Sequence, residues 1–201
     1  MKHQRSRDHS RSASNGGFRL AKRLIAALLC LSGGLLGQAQ DKGSSEYQVK
    51  AAFLFHFAQF IDWPSEAFKD ETSPLTYCTF GEDPFQGALE ASLSGKMIAG
   101  RPVRVQHLKQ AREISECQIL FVGAMEKRRL ATVLAGIKGT PVLTVGDSAH
   151  FVNAGGVIGF CLEEKKIRFE INLDVATQAK LKISAKLLAL AKTVIGDPRA
   201  N

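Results

Sequence analysis

Three short apolar runs limit what this chain can fold into: LTYCTF at 75–80, CQILFVG at 117–123 and PVLTVGD at 141–147. Each has the length of a strand. The second and third are apolar almost without interruption, as expected when both faces of a sheet are covered. Helical patterns lie between them. Pro84 takes a first-turn position ahead of FQGALEASLSG, which Gly95 stops, and Ala111 to Glu116 reads as a weak helical turn. Glu126 to Ile137 carries Leu130, Val133 and Leu134 on one face, and Val103 to Leu108 alternates as a further strand. Strand-helix alternation with short links implies right-handed crossovers and a mainly parallel sheet. The pattern then changes. Val157 to Leu162 and Lys166 to Leu173 read as strands joined by Glu163-Glu164-Lys165, with Ile167, Phe169, Ile171 and Leu173 sharing one face. Two such strands across a short polar turn form an antiparallel hairpin. Ser184 then caps a terminal helical segment, AKLLALAKTVI. The expectation is an α/β fold: one three-layer domain, its sheet mostly parallel with an antiparallel edge hairpin.

Residues 1–39 read as a secretory signal peptide, leaving 40–201 as the domain. Seven basic residues from Lys2 to Arg23 precede an apolar run of thirteen at 24–36, and Gly37-Gln38-Ala39 supplies a small-x-small cleavage site. The run is short for a membrane span. Leu28 and Leu29 precede Cys30, where a lipoprotein needs small residues. Periplasmic export follows. The leader also carries most of the charge. Seven of 27 basic and one of 19 acidic residues fall in the first forty, so +8 for the whole chain becomes +2 for the remainder. The remaining charges are interspersed, which argues against a nucleic-acid partner.

Catalytic patterns are missing. His56, His107 and His150 stand alone, without metal-ligand spacing, and no nucleophile elbow or phosphate-cradling loop occurs. Gly155-Gly156-Val157-Ile158-Gly159 enters a strand rather than a helix, so a turn before the hairpin explains it better than a dinucleotide loop. The reading is therefore no catalytic residue, no metal and no cofactor. Asp147, Ser148 and His150 follow the 141–147 strand at the sheet's carboxyl end, where α/β folds bind ligands. Gly81, Gly123 and Asp147 mark that edge as the candidate place for a small molecule. Cys78 and Cys117 lie 39 residues apart, in or at the start of buried strands. Bonded, they would add about 4 kcal/mol through chain entropy; unbonded, they would be inert core thiols. Cys161 is the odd cysteine, either buried or bridging two subunits.

The segment YQVKAAFLFHFAQFIDW at 47–63 precedes Pro64 and holds the only tryptophan. Gln48, Lys50, His56, Gln59 and Asp62 interrupt it too often for a membrane span. Val49, Phe53, Phe57 and Phe60 fall on one helical stripe and are assigned to the core. Phe55 and Trp63 are left for a dimer or partner contact.

Taken in order, YQVKAAFLFHFAQFIDWP, CTFGEDPFQGALEASLSGK, GRPVRV, CQILFVG, PVLTVGD and GGVIGFCLEEKKIRFEINLDVATQAKLKISAKLLALAK resemble the YfiR-like proteins from about Ser45 to Val194. That resemblance implies a small periplasmic α/β regulator without established catalytic activity, commonly dimeric. The family's type member binds the periplasmic sensor domain of an inner-membrane diguanylate cyclase and represses it, and an outer-membrane lipoprotein sequesters the repressor. Implied partners here are the periplasmic domain of a membrane diguanylate cyclase or sensor kinase, an outer-membrane lipoprotein and a second copy. Cys78 and Cys117 match a disulfide-forming pair of the family. Cys161 matches half of a second pair, whose other half would fall in HFVNAGG at 150–156, which has no cysteine. The partner-binding surface of the family maps to Phe160, Glu163, Ile167 and Arg168. The alternative is a periplasmic small-molecule binding protein linked to a sensor kinase or outer-membrane receptor.

Overall fold

The computed structural model describes residues 40–197, so the predicted signal peptide lies outside the described residues. Helix α1 (Gln40–Gln59) is followed by β1 (Ile61–Asp62), β2 (Leu75–Phe80), α2 (Ala88–Leu93), β3 (Met97–Ile98), β4 (Arg101–Leu108) and β5 (Ile119–Val122). Then come α3 (Lys127–Gly136), β6 (Leu143–Gly146), β7 (Ile158–Glu163), β8 (Lys166–Asn172), α4 (Leu173–Gln178), β9 (Lys182–Ile183), α5 (Ala185–Leu190) and β10 (Thr193–Ile195). Eight strands form one sheet in the order β10-β8-β7-β6-β5-β2-β4-β3, and β1 pairs antiparallel with β9 in a separate ribbon. Within the large sheet only β7–β8 and β3–β4 are antiparallel. The mostly parallel α/β architecture with its antiparallel hairpin is as expected, except that β10 covers β8 and so the hairpin lies one strand in from the edge.

The alternation of side chains sorts the core into two clusters, one on each side of the sheet. Leu75, Tyr77, Ile119, Phe121, Leu143 and Val145 join Leu54, Phe57 and Ala58 of α1. Cys78, Phe80, Leu120, Val122 and Val142 join Leu130, Val133 and Leu134 of α3 and Ile114 of the 3₁₀ turn Ala111–Glu116. Successive strand residues point to opposite faces, so this division makes three layers.

Several local expectations need correction. On α1, the buried face is Lys50, Ala51, Leu54, Phe57 and Ala58, continued by Ile61 of β1, while Val49 is 44% exposed. Of the expected stripe, Phe57 is buried and Phe53 and Phe60 pack partly against the core, so only Val49 is wrongly assigned and the buried face is turned toward Leu54 and Ala58. The segment AKLLALAKTVI is helical only to Leu190; Thr193–Ile195 runs as β10 alongside Glu170–Asn172. Three consecutive β-branched residues suit a strand better than a helix. Leu173 leaves the strand to open α4, because Asn172 caps that helix by accepting the Val175 N–H at 3.1 Å. The Ser184 cap is present, accepting from the Lys186 N–H at 3.2 Å. At the tip of the hairpin, Glu163 pairs with Lys166, leaving a two-residue loop. Both its residues, Glu164 and Lys165, have positive φ, at 49° and 63°. That is the backbone a type I′ turn requires, normally with glycine or asparagine.

Candidate functional site

Asp147 stands at the carboxyl end of β6, and α1 brings three side chains toward it. The Tyr47 hydroxyl donates to Asp147 Oδ2 at 2.6 Å, and the Lys50 ammonium donates to the same oxygen at 3.0 Å. Lys50 Nζ also lies 2.6 Å from Glu46 Oε1, one helical turn away, and 4.3 Å from the Tyr47 ring centroid. Lys50 is only 5% exposed. A buried ammonium is tolerable here because two carboxylates surround it. Burial, followed by the hydrogen bond to Asp147, pushes the Tyr47 phenol well above its ordinary range. Burial alone does the same to Tyr77, whose hydroxyl donates to the Leu54 carbonyl at 3.3 Å. A phenol raised in the folded state contributes stability that is present below its unfolded value, near pH 10. Urea stability is therefore expected to fall as pH climbs past about 10, with a shallower fall in Tyr47→Phe. Identical alkaline profiles for the two proteins would contradict the Tyr47 assignment.

Beside this cluster is a cavity of about 310 Å³, lined by Asp147, Ser148, His150, Phe160, Cys161 and Glu170 among others. Asp147 thus does line an opening at the carboxyl edge. Gly81 and Gly123 lie where the same edge is closed by backbone. Gly81 turns with φ of 96°, and the Glu82 carbonyl packs where a Gly123 side chain would stand. Gly156 serves packing as well, since the Phe151 ring fills the space of its missing Cβ.

The hairpin residues separate by face. Phe160 is 6% exposed, its ring 5.7 Å from that of Phe57 and 6.0 Å from that of Phe53, so the side chain belongs to the core. Its period-two relation to buried Ile158 was the sequence signal for this. Glu163 and Arg168 are exposed and Ile167 is half-buried. Glu163 lies 3.2 Å from Lys192 and 4.0 Å from Arg168. Leu162, opposite Ile167 in register, is 62% exposed. Cys161 is a half-buried free thiol whose pKa is raised by burial and then by Glu170. Cys78 and Cys117 form a disulfide with a Cα separation of 5.9 Å.

Phe55 is half-buried against the core with the Lys96 ammonium 5.6 Å from its ring. Trp63 is also half-buried and donates its indole N–H to the Gln118 carbonyl at 3.3 Å. His107 bridges the Thr79 hydroxyl at 2.7 Å and Glu90 at 2.6 Å. Thr79 is 3% exposed, so its hydroxyl holds the imidazole and is shut off from substrates. Among the described residues, no three His, Cys, Asp or Glu side chains converge as metal ligands. No helix among them is long and apolar enough to cross a membrane. The sequence reading missed Glu46, Tyr47 and Lys50. The available signal was their i, i+3 and i, i+4 spacing, which puts them on one helical face.

A family model described as YfiR/HmsC-like matches residues 47–192. Among solved structures, a conserved domain protein from Vibrio cholerae O1 biovar El Tor is similar, with a TM-score of 0.51 at 8% identity. The match covers 74% of this chain and 60% of that one, and at this identity it speaks for the fold alone. An ABC domain in complex with L-Trp from Streptococcus pneumonia has a TM-score of 0.42 at 14% identity, over 60% of this chain and 55% of that one. The latter likeness is too remote to support an argument.

Proposed function

The chain belongs to the YfiR/HmsC-like family, and from that premise we propose that it is a non-catalytic periplasmic regulator of cyclic di-GMP signalling. It binds the periplasmic sensor domain of an inner-membrane diguanylate cyclase and lowers the enzyme's output. The observation that carries this reading is the family match across residues 47–192. The hairpin supports it: Leu162 is exposed opposite half-buried Ile167 on one face, while Glu163, Arg168 and Lys192 form an exposed charged cluster on the other. An exposed leucine on a sheet face is the kind of apolar contact that a protein partner covers. Repression requires that binding favour the inactive sensor conformation, since equal affinity for both states shifts nothing.

Deletion of the gene is expected to raise cellular cyclic di-GMP, and the exported wild type to restore it. An unchanged level, with neighbouring cyclases expressed, would sink the proposal. In vitro, Leu162→Asp is expected to weaken binding to the purified sensor domain by about 30-fold, the cost of about 2 kcal/mol for a central contact. The fold should survive, because that side chain is already largely in solvent. A second reading, ligand sensing, draws on the cavity beside Asp147, which also touches Phe160 and Cys161 of the hairpin. An occupant there would contact both α1's anchor and the proposed docking element. A flat thermal-shift profile across amino acids, cofactors and cell-wall fragments would remove it.

A further inference from the structure

Parallel neighbours β6 and β7 are joined by residues 147–157 in turns alone, with no helix. Parallel connections usually carry a helix that covers the sheet. Here α3 covers one side of this region, α4 lies on the other, and the space between is left open. The result is a cavity of about 320 Å³ at the amino ends of β6 and β7, at the opposite end of the strands from Asp147. Leu134, Val142, Val157 and Ala179, each no more than 5% exposed, give it apolar walls. Thr144 of β6 also lines it and is only 4% exposed. The Thr144 oxygen accepts the Val157 N–H at 2.9 Å, while its own hydroxyl hydrogen has no acceptor among the described residues. At the rim stands the exposed Lys138, which makes no ion pair among the described residues.

An apolar chamber of this size with a few convergent polar groups has the make-up of a small-molecule site. A buried hydroxyl donor without an acceptor costs free energy that an acceptor on a ligand would recover. We propose that this cavity binds a small keto-carboxylate with an aryl or branched apolar body. The body packs on Leu134, Val142, Val157 and Ala179. The ketone oxygen accepts from the Thr144 hydroxyl, and the carboxylate stays at the hydrated rim against Lys138. This site is separate from the hairpin surface and from the cavity beside Asp147, and it does not depend on the regulator reading.

The test uses three probes of equal length titrated into the purified exported protein and followed by alanine-methyl NMR. Benzoylpropionate carries ring, ketone and carboxylate; phenylbutyrate lacks the ketone; butyrophenone lacks the carboxylate. Saturable shifts at Ala154 and Ala179, tightest for benzoylpropionate, are expected. Thr144→Val should weaken benzoylpropionate about tenfold, one hydrogen bond's worth, while leaving phenylbutyrate unchanged. Lys138→Met, at an exposed position that does not threaten folding, should abolish the advantage of benzoylpropionate over butyrophenone. Absence of saturable shifts up to the solubility limit, or shifts confined to other methyls, overturns the site. Equal affinity for all three probes overturns the assigned ligand class.

Discussion

Cys78→Ala combined with Cys117→Ala is expected to lower the unfolding free energy by about 4 kcal/mol, from the chain-entropy cost of a loop of this length. The bond spans 39 residues and ties β2 to the segment entering β5, both in the middle of the sheet. Both cysteines are buried, at 1% and 2% exposure, so packing losses add to the entropic term. For a domain of this size the change corresponds to a fall in Tm of about 8–16 °C. Urea unfolding of wild type and double variant, each with and without reductant, measures it. Reductant should move the wild type toward the variant and leave the variant unmoved. The variant's denaturant slope should also rise, since an uncrosslinked unfolded chain exposes more surface. Coincident unfolding curves for wild type and double variant would mean that the bond contributes nothing to stability.

Asp147→Leu should cost about 3–5 kcal/mol, the usual consequence of stranding one member of a buried ion pair. Lys50 would keep Glu46, whose side chain is 34% exposed and therefore a weaker partner. The lower end of the range is expected for that reason. Tyr47 would lose its acceptor as well. The double variant Lys50→Met with Asp147→Leu should recover most of the loss, because replacing both charges with apolar groups of similar volume removes the desolvation penalty. A double-mutant cycle in urea gives the coupling directly. A single-variant cost below about 1 kcal/mol would show that the Lys50 ammonium reaches water by straightening its side chain.

The parts of this fold legible in the sequence are those where burial shapes composition over many residues. Strands β2, β5 and β6 are covered on both faces and read as apolar runs, and β8 alternates because only one of its faces is buried. Strands β1, β3, β9 and β10 have two or three residues each, too few for any period to register. Helix α1 misled for a different reason. Lys50 reads only as one of its polar interruptions. Its burial is decided by Asp147, 97 residues away, which no local pattern can signal. The candidate site was legible in the same uneven way. Asp147 announced itself by following a buried strand, whereas Tyr47 and Glu46 became informative only once α1 was laid across the sheet. Phe160, assigned through the family to the docking surface, faces inward by simple alternation with Ile158.

The strand order carries a kinetic consequence. β2, the earliest strand of the large sheet along the chain, ends up between β4 and β5, and β10, the last, pairs with β8. No parallel pair can close as a local hairpin; each must wait for an intervening stretch of chain to be gathered in. Only β7–β8 and β3–β4 can zip from a tight turn. The chain therefore assembles on the slow side for its size, with one edge of β2 unpaired until β4 is in place and the other until β5 joins it. For that interval the unpaired strand edges are a template for aggregation.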